Sequence, residues 1–316
     1  KIVFLMLIAN SLVLSAFSQD VNAMLKEAEN LEYKLKEVEA LDKYKQILVV
    51  DGNNLKALVK AAELSAAIGA RLPAKKDKQL YYQSSLAFAQ RAIAVDANNA
   101  DANYVMAVAS GKMTDVESEN KKIVAYVKDI KVYADKALAI NANHAKANYT
   151  LGKWHFEMVN LSGFKKAAVK LFYGGLPDGK LESAIAYFEK CRNLDPYFML
   201  NYLDLAKAYV QDNKPPKAIE VLQKLVKQRK DSAAIYTEQG RTDLAEPELA
   251  QLAVIEQFLP AQMTEEEVEA VVAKIISENG FSGMASMGQV MGIASKELAG
   301  QTDGKTISTL VKKLLS

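Results

Sequence analysis

A polar turn recurs between the amphipathic segments of this chain and limits the folds that it can adopt. In each copy an apolar segment ends, Asp or Asn follows, and a new segment with helical spacing of apolar residues begins. The turn residues are Asp51, Asp96, Asn141 and Asp195. Asp and Asn side chains end one helix and cap the next, which explains their recurrence at these positions. Self-similarity at a fixed spacing is typical of stacked helical repeats, in which each unit buries its apolar face against its neighbours.

Composition agrees with a chain that is helical nearly throughout. Only 15 glycines and 7 prolines occur in 316 residues, and no long alternation of β-branched residues indicates a sheet. The 40 Lys and Arg residues nearly balance the 38 Asp and Glu residues, so no global field favours nucleic acid or a membrane. With two histidines and one cysteine, the chain has too few of the four Cys or His ligands that a typical structural zinc site uses. The predicted fold class is all-α.

The turns resemble those of the tetratricopeptide repeat. Matching small, aromatic and proline positions are Ala40, Tyr44, Ile47 and Gly52 at the first turn, and Ala184, Phe188, Cys191 and Pro196 at the fourth, followed by Tyr202, Leu205, Ala206, Tyr209 and Ala218. The resemblance implies that Cys191 is a small core residue, and we interpret Trp154 and His155 as packing between repeats.

The spacing between turns, about 45 residues, exceeds the usual 34 or so of this repeat. The extra segments, above all "LGKWHFEM…LFYGGLP", resemble the regulator-of-microtubule-dynamics family. That resemblance covers roughly residues 20 to 225 and implies a helical scaffold without catalytic residues.

The last hundred residues resemble the YqeY family and the related tail of the B subunit of tRNA-dependent amidotransferases (GatB). The matching elements are Arg229-Lys230-Asp231-Ser232, Tyr236, Gly240 to Ala245, Phe258-Leu259-Pro260, Met287 to Met291, Asp303-Gly304-Lys305 and Val311. The resemblance implies a helical tail associated with tRNA and with glutamine as amido-nitrogen donor, with the active site in other subunits or in domains that are absent here. The opening helices of that family are missing. Pro247 and Gln251 stand where relatives more often carry charged residues.

Local capping signals divide this tail into short helices. Thr264 and Glu267 form a predicted capping box, and Gly280 follows the end of the helix that they begin. The stretch "AGQTDGKTIS" looks like a phosphate-binding loop, but it has the wrong glycine spacing and follows a helix rather than a strand. We therefore interpret it as a helix end at Gly300 and a helix start capped by Asp303.

The two halves imply different cellular locations. Residues 1–18 have a lysine, an apolar run and a small-x-small ending, as in a secretory signal peptide. The predicted domains are that signal peptide, a repeat domain over 19–228, and a YqeY-like domain over 229–316 with a break near residue 260. The signal predicts export to the periplasm, whereas the tail's family role would be cytoplasmic. Two explanations stay open: a genuine fusion, or two coding sequences that have been joined.

Two sets of candidate binding residues follow from these assignments. The first helix of each repeat lies on the concave face, which predicts a face for an acidic or C-terminal peptide formed by Lys56, Tyr104, Lys112, Lys146, Tyr149, Lys153 and Lys207. Candidate tRNA contacts around the last helix are Lys296, Lys305, Lys312 and Lys313. The sequence predicts no catalytic residues, no metal and no cofactor. The main functional prediction is a protein-interaction scaffold, and the alternative is a tRNA-associated accessory of amidotransferase type.

Overall fold

The computed structural model describes residues 21–261 and 263–316, and all regular elements in these ranges are helices. The predicted signal peptide, residues 1–18, lies outside them. The helices are α1 (21–33), α2 (Glu37–Val50), α3 (Leu55–Arg71), α4 (Lys75–Val95), α5 (Ala100–Thr114), α6 (Asn120–Ile140), α7 (Ala145–Asn160), α8 (Gly163–Tyr173), α9 (Leu181–Leu194), α10 (Met199–Gln211), α11 (Pro215–Glu238), α12 (Thr242–Glu256), α13 (Glu265–Asn279), α14 (Met287–Glu297) and α15 (Gly304–Leu315). A short 3₁₀ turn (Met284–Ser286) precedes α14. The all-α prediction is confirmed. The chain divides into two compact units at Leu194/Asp195.

The recurring turns have one geometry. The side-chain oxygen of Asp51 accepts a hydrogen bond from the backbone N–H two residues later (3.3 Å), as do those of Asp96 (2.9 Å), Asn141 (3.0 Å) and Asp195 (3.1 Å). The cap of the following helix is a separate residue, three positions after the turn residue. The side chains of Asn54, Asn99 and His144 each accept from the third residue beyond, at 3.0 Å. The turn and the cap are therefore built by two residues, not by the single Asp or Asn of the sequence prediction.

Small residues set the packing of the repeats in the first unit. Within this unit α3 packs on α4, α5 on α6, and α7 on α9. Alanines with no exposed surface lie where these helices meet: Ala57, Ala61, Ala89, Ala92, Ala102, Ala109, Ala134, Ala137, Ala147 and Ala184. Because alanine lets two helix backbones approach closely, larger rings fill the gaps beside them. Tyr44, Tyr82 and Phe188 are almost completely buried and have this role.

The region around α7 combines a close contact with an inserted helix. A Cβ at Gly152 would lie 2.8 Å from the Phe188 ring, so only glycine fits there without movement. Trp154 is buried and donates its indole N–H to the carbonyl of Val127 on α6 (2.9 Å). His155 stacks on Tyr187 of α9, with ring centroids 5.8 Å apart. The prediction of a packing role for Trp154 and His155 is confirmed, as is that of a buried Cys191. Helix α8 is inserted between the members of the α7–α9 pair.

The second unit begins with α10, α11 and α12. Helix α11 has 24 residues and runs without interruption through residue 228, where the sequence predicted a domain boundary. Arg229 on this helix makes a two-pronged ion pair with Glu248 on α12, at 2.9 and 3.1 Å. Both side chains are largely buried. The predicted domain boundary at residue 228 stays a prediction. The division at Leu194/Asp195 separates two compact units and does not test where one family resemblance ends and the other begins.

The last three helices form a small bundle within the second unit. Its core consists of Val268, Val272, Ile275, Val290, Ala294, Leu298, Ile307, Leu310, Val311 and Leu315. The capping box at Thr264 is present, with both of its reciprocal bonds to Glu267, and Gly280 ends α13 with a left-handed backbone. Gly300 is also left-handed (φ 82°), and Asp303 caps α15 by accepting from the N–H groups of Lys305 and Thr306. The local predictions for this bundle are confirmed.

Candidate functional site

An open groove of about 600 Å³ lies along the first helices of three successive repeats. We call it the repeat groove. Its lining residues come from α3, α5, α7 and the caps before α5 and α7: Leu55, Lys56, Val59, Lys60, Glu63, Asn99, Asp101, Tyr104, His144 and Lys146. All lie in the first unit. Because the turns hold the start of each of these helices in the same geometry, side chains one turn into each helix project into the same groove.

Glu63 is the centre of the charge network in the repeat groove. Its carboxylate pairs with the ammonium group of Lys146 and lies 3.8 Å from that of Lys60. The phenol of Tyr104, which is mostly buried, reaches the same carboxylate at 3.4 Å. Burial raises the pKa of Tyr104, and the charge of Glu63 raises it further. Glu63 therefore joins side chains from α3, α5 and α7.

A second carboxylate, Glu32, extends the network beyond the groove lining. It accepts a hydrogen bond from the buried phenol of Tyr44 (2.6 Å) and another from Lys60 (2.9 Å). Burial raises the pKa of Tyr44, and the bond to Glu32 adds to that effect. Burial alone would lower the pKa of Lys60, but the hydrogen bond to Glu32 and the charge of Glu63 outweigh it and raise the pKa. Lys60 is therefore a fixed ammonium group.

Asp101 and His144 form one end of the repeat groove. The imidazole Nε2 lies 3.0 Å from the Asp101 carboxylate, while Nδ1 accepts from Ala147 N–H as the cap of α7. The hydrogen bond from His144 lowers the pKa of Asp101. The imidazole also lies beside Tyr104, with ring centroids 4.8 Å apart. A histidine thus replaces the asparagine cap of the neighbouring repeats and adds a side chain to the groove.

The predicted peptide face is only partly brought together. Lys56, Tyr104 and Lys146 line the repeat groove. Three other predicted residues lie elsewhere in the first unit: Lys112 over the ring of Tyr82, Tyr149 beside Phe188, and Lys153 paired with Glu157 at 3.0 Å. The last, Lys207, is in the second unit and pairs with Asp204 at 3.2 Å.

Sequence reasoning missed the acidic half of the groove. Lys56 pairs with Glu29, as Lys60 does with Glu32 and Lys146 with Glu63. These partners come from helices that are distant in sequence, so spacing along the chain gives no sign of them. A signal for His144 did exist, because it occupies the same position after Asn141 as Asn54 does after Asp51.

A second cleft, of about 1050 Å³, lies within the second unit, and we call it the lysine cleft. Lys224, Lys227 and Lys230 lie along one side of α11, and Lys296 comes from the end of α14. The same cleft contains four carboxylates: Glu220, Asp231, Glu256 and Asp303. One of them, Glu256, pairs with Lys230 at 2.9 Å. The cleft is thus rich in charge of both signs.

The predicted tRNA contacts have different environments. Lys296 is exposed and lines the lysine cleft. Lys305 and Lys312 are exposed on one face of α15, about 10 Å apart along its axis. Lys313 pairs with Glu269 at 2.8 Å, and this hydrogen bond raises its pKa. The first-turn amides of Lys305 and Thr306 donate to Asp303, so an incoming phosphate would have to use the lysine side chains.

Neither site contains a recognisable catalytic arrangement. Within residues 21–261 and 263–316, no three His, Cys, Asp or Glu side chains are grouped as metal ligands. None of the described helices is long and apolar enough to cross a bilayer. The chemistry that both sites offer is that of ammonium groups, carboxylates and phenols held in place, which suits binding.

The tail is similar to known amidotransferase chains. The E subunit of glutamyl-tRNA(Gln) amidotransferase from Thermococcus gammatolerans is 37% identical over 71 residues, which are 21% of this chain and 11% of that protein. The protein of the same name from Thermococcus sibiricus is 32% identical over 113 residues, 34% of this chain and 18% of that protein. The similarity lies in the YqeY-like region. This chain therefore spans less than a fifth of either relative.

Several helical-repeat structures are similar to this chain at low identity. The TPR protein TTC0263 of Thermus thermophilus is 13% identical, with a TM-score of 0.49 over 74% of this chain and 98% of that one. A crystal structure of MamA is 18% identical, with a TM-score of 0.40 over 69% of this chain and 96% of that one. For YrrB, described as a TPR protein with an unusual peptide-binding site, the identity is 17% and the TM-score 0.37, over 66% and 90% of the two chains.

Two family models match overlapping parts of the chain. The model described as "Yqey-like protein" matches residues 205–315. The model described as "Regulator of microtubule dynamics protein 1-3" matches residues 24–243, which is more than two thirds of the chain. The two matches share residues 205–243, which contain about half of α10 and all of α11. The chain is a member of the regulator of microtubule dynamics protein 1-3 family and continues into a YqeY-like region.

Proposed function

We propose that this protein is a protein-interaction scaffold that binds an extended segment of a partner in the repeat groove. The observation that carries the proposal is the network around Glu63, in which Lys60, Tyr104 and Lys146 from three helices share one carboxylate. These side chains are already ordered, so a ligand does not bear the entropic cost of fixing them. An open groove with polar groups in fixed positions suits a chain that offers backbone N–H and C=O groups along its length.

The charges of the groove restrict the partner. Each groove lysine already has a carboxylate partner, so a uniformly acidic peptide would have to displace Glu29, Glu32 or Glu63. A segment with both basic and acidic side chains can instead complete these pairs. The lysines on the rim of the groove, Lys56 and Lys146, are the more exposed ones and would meet the carboxylates of such a segment.

The test is a selection of random dodecapeptides on the full chain, followed by measured affinities for the selected peptides. In the double variant Lys56→Gln, Lys146→Gln we expect binding to weaken at least tenfold, because each charge-assisted hydrogen bond contributes about 1.5–3 kcal/mol. The control is Lys76→Gln, Lys121→Gln, which removes the same charge from exposed positions outside the groove. Equal affinities in both double variants would contradict a groove site.

A second candidate function is binding of tRNA by the YqeY-like region. Two observations favour it: the similarity of this region to the E subunit of glutamyl-tRNA(Gln) amidotransferase, and the lysines of the lysine cleft. Lys224 and Lys227 lie one turn apart on α11, and Lys296 faces the same cleft. Ammonium groups spaced along a cleft can follow a phosphate backbone. In this proposal the chain contacts tRNA, and any amide transfer takes place elsewhere.

The tRNA proposal predicts a characteristic salt dependence. The logarithm of the binding constant should fall against the logarithm of salt with a slope of about −0.7 to −0.9 for each phosphate contact. The triple variant Lys224→Gln, Lys227→Gln, Lys296→Gln should reduce that slope by about two to three units. Lys76→Gln, Lys121→Gln serves again as the control. An unchanged slope in the triple variant would remove the lysine cleft from the proposal.

Location separates the two proposals. The predicted export signal would place the chain in the periplasm, where a peptide partner is available and tRNA is not. Fractionation of cells that express the full chain, with detection of peptides from both units, tests this directly. Recovery in the periplasm favours the scaffold, whereas recovery in the cytoplasm favours the tRNA accessory. In cells that carry only the native gene, finding both units in one band would also establish a genuine fusion.

A further inference from the structure

Helix α8 differs from the other helices of the first unit because its apolar side chains are exposed. Three large ones point into solvent: Phe164 is 86% exposed, Leu171 77% and Phe172 69%. None of the residues of α8 is buried. Exposure of this much aromatic and aliphatic surface on one short helix is unusual and marks an interaction site.

The start and the end of this helix are well defined. Ser162 caps its start by accepting from the N–H of Lys165 (3.4 Å), and Gly174 ends it with a left-handed backbone (φ 74°). Lys128 on α6 donates to the carbonyl of Tyr173 at its last residue (3.2 Å). Farther along, Gly179 lies so close to α7 that a Cβ there would be 2.5 Å from the carbonyl oxygen of His155. The C-terminal end of α8 is therefore joined to α6 by a hydrogen bond, although the side chains of α8 are not covered.

An apolar cleft of about 640 Å³ separates α8 from the body of the first unit. Ile123, Val124 and Val127 of α6 form one wall, and Phe164, Ala168 and Phe172 of α8 form the other. Phe164 and Phe172 remain mostly exposed although they line this cleft. Helix α8 is therefore separated from the core of the first unit, and its apolar side chains are accessible to solvent.

The charged residues of α8 indicate what its apolar side can contact. Lys165, Lys166 and Lys170 are the charged residues of α8, and no Asp or Glu occurs between Glu157 and Asp178. At 100° per residue Phe164 and Leu171 share one side of the helix, with Phe172 next to them. Lys165 borders this apolar sector on the Phe172 side, whereas Lys166 and Lys170 lie on the opposite side of the helix. An exposed apolar side, lysines on the rest of the helix and no acidic residue are typical of helices that lie in the headgroup layer of an anionic bilayer.

We propose that α8 docks this protein on the surface of a bilayer that contains anionic phospholipids. The rings of Phe164 and Phe172 and the side chain of Leu171 enter the acyl boundary. The three lysines extend to the phosphates. A peptide partner in this position would need acidic residues and a preformed apolar face, whereas anionic lipid supplies both negative charge and an apolar layer over the whole length of the helix. Docking of this kind is compatible with either of the functions proposed above.

The test places an environment-sensitive fluorophore on α8 of the full chain. Leu171→Cys can be labelled alone because the native Cys191 is completely buried. With vesicles of equal parts phosphatidylcholine and phosphatidylglycerol, we expect a blue shift and quenching by lipid-borne nitroxides. With pure phosphatidylcholine vesicles both effects should nearly vanish. The matched control is a label at Val49→Cys on α2, a position that is 86% exposed and far in sequence from α8. Its emission should stay unchanged.

Charge variants complete the experiment. Each lysine near an anionic surface contributes about a fivefold increase in binding, so Lys165→Glu, Lys166→Glu, Lys170→Glu should weaken partitioning about a hundredfold or more. The control triple Lys75→Glu, Lys76→Glu, Lys121→Glu changes the net charge equally at exposed positions outside α8. Equal losses in both triples, or equal emission from positions 171 and 49 on anionic vesicles, would overturn the proposal. A concentration-dependent blue shift at position 171 without vesicles would assign the surface to a second copy of the chain and would also overturn it.

Discussion

The repeats of the first unit and the bundle of α13–α15 are built from helices of similar length but bury different side chains. The repeats bring helix backbones together through alanine and glycine, and leave the polar inner side of α3, α5 and α7 to form a groove. The bundle buries valine, isoleucine and leucine on one side of each helix and leaves the other side to solvent. Shape is therefore specified in the repeats by the close approach of helix backbones and in the bundle by the volume of the buried side chains. Of these two regions as described, the repeats are the one with a groove in which charged side chains pair across several helices.

The largest expected effect is in the bundle. Leu310→Ala removes a side chain that is 1% exposed from a core of ten residues, and we expect a loss of about 3 kcal/mol from the free energy of unfolding. The measurement is hydrogen exchange of the α13 amides, with the Trp154 fluorescence transition as reference for the first unit. Exchange rates in α13 that matched those of the parent chain would show that the bundle does not depend on this volume.

Two glycine substitutions distinguish these two kinds of packing. In Gly152→Ala the new methyl group would lie 2.8 Å from the buried ring of Phe188, so we expect a loss of about 1–3 kcal/mol. In Gly292→Ala nothing lies within 4 Å of the new methyl group, and alanine favours a helix, so we expect a gain of about 0.5–1 kcal/mol. Urea unfolding of both variants measures this. Changes of the same sign would contradict the distinction between close approach and volume.

Helix caps provide a third contrast, of smaller size. Asn99→Ala in the repeats and Asp303→Ala in the bundle should each lose about 1 kcal/mol near neutral pH, since each removes the acceptor of a first-turn N–H group. The controls are Asn99→Asp and Asp303→Asn, which keep an acceptor and should recover most of the loss. A loss that persisted in these variants would show that capping is not the cause.

The smallest effect concerns the pH dependence of these caps. Hydrogen bonds from the backbone and side chain of Thr306 hold the pKa of Asp303 below its ordinary value. A lowered pKa means that the folded state favours the ionised carboxylate. The resulting contribution to the free energy of unfolding is present above about pH 4 and is lost as the pH falls through the folded pKa. The loss of unfolding free energy caused by Asp303→Ala should therefore become smaller as the pH falls from 6 to 3. The loss caused by Asn99→Ala should not change. Urea midpoints at both pH values decide between these outcomes.

Local sequence signals predicted much of the fold. The turns at Asp51, Asp96 and Asn141, the capping box at Thr264 and the cap at Asp303 depend on residues within four positions of one another, so short spacings reveal them. The all-α class followed from the same signals together with the scarcity of glycine and proline. The position of each repeat's first helix was therefore predictable, and with it the presence of Lys56, Tyr104 and Lys146 in one groove.

The rest of the groove depends on contacts between distant residues. Glu63 meets Lys146 across 83 positions, and Lys60 meets Glu32 across 28. Such pairs depend on how helices stack, which no local pattern contains. Helix α8 was predicted only as part of an insertion, because nothing in its sequence shows that Phe164 and Phe172 stay uncovered.

We propose that binding takes place in the repeat groove, and hydrogen–deuterium exchange of the full chain with a selected dodecapeptide tests this claim. We expect slower exchange in the first two turns of α3, α5 and α7, which carry Lys56, Tyr104 and Lys146. We expect no change in α13–α15. The Lys56→Gln, Lys146→Gln variant should lose this protection at the same peptide concentration. Protection confined to the second unit, or protection that the variant retained in full, would contradict the claim.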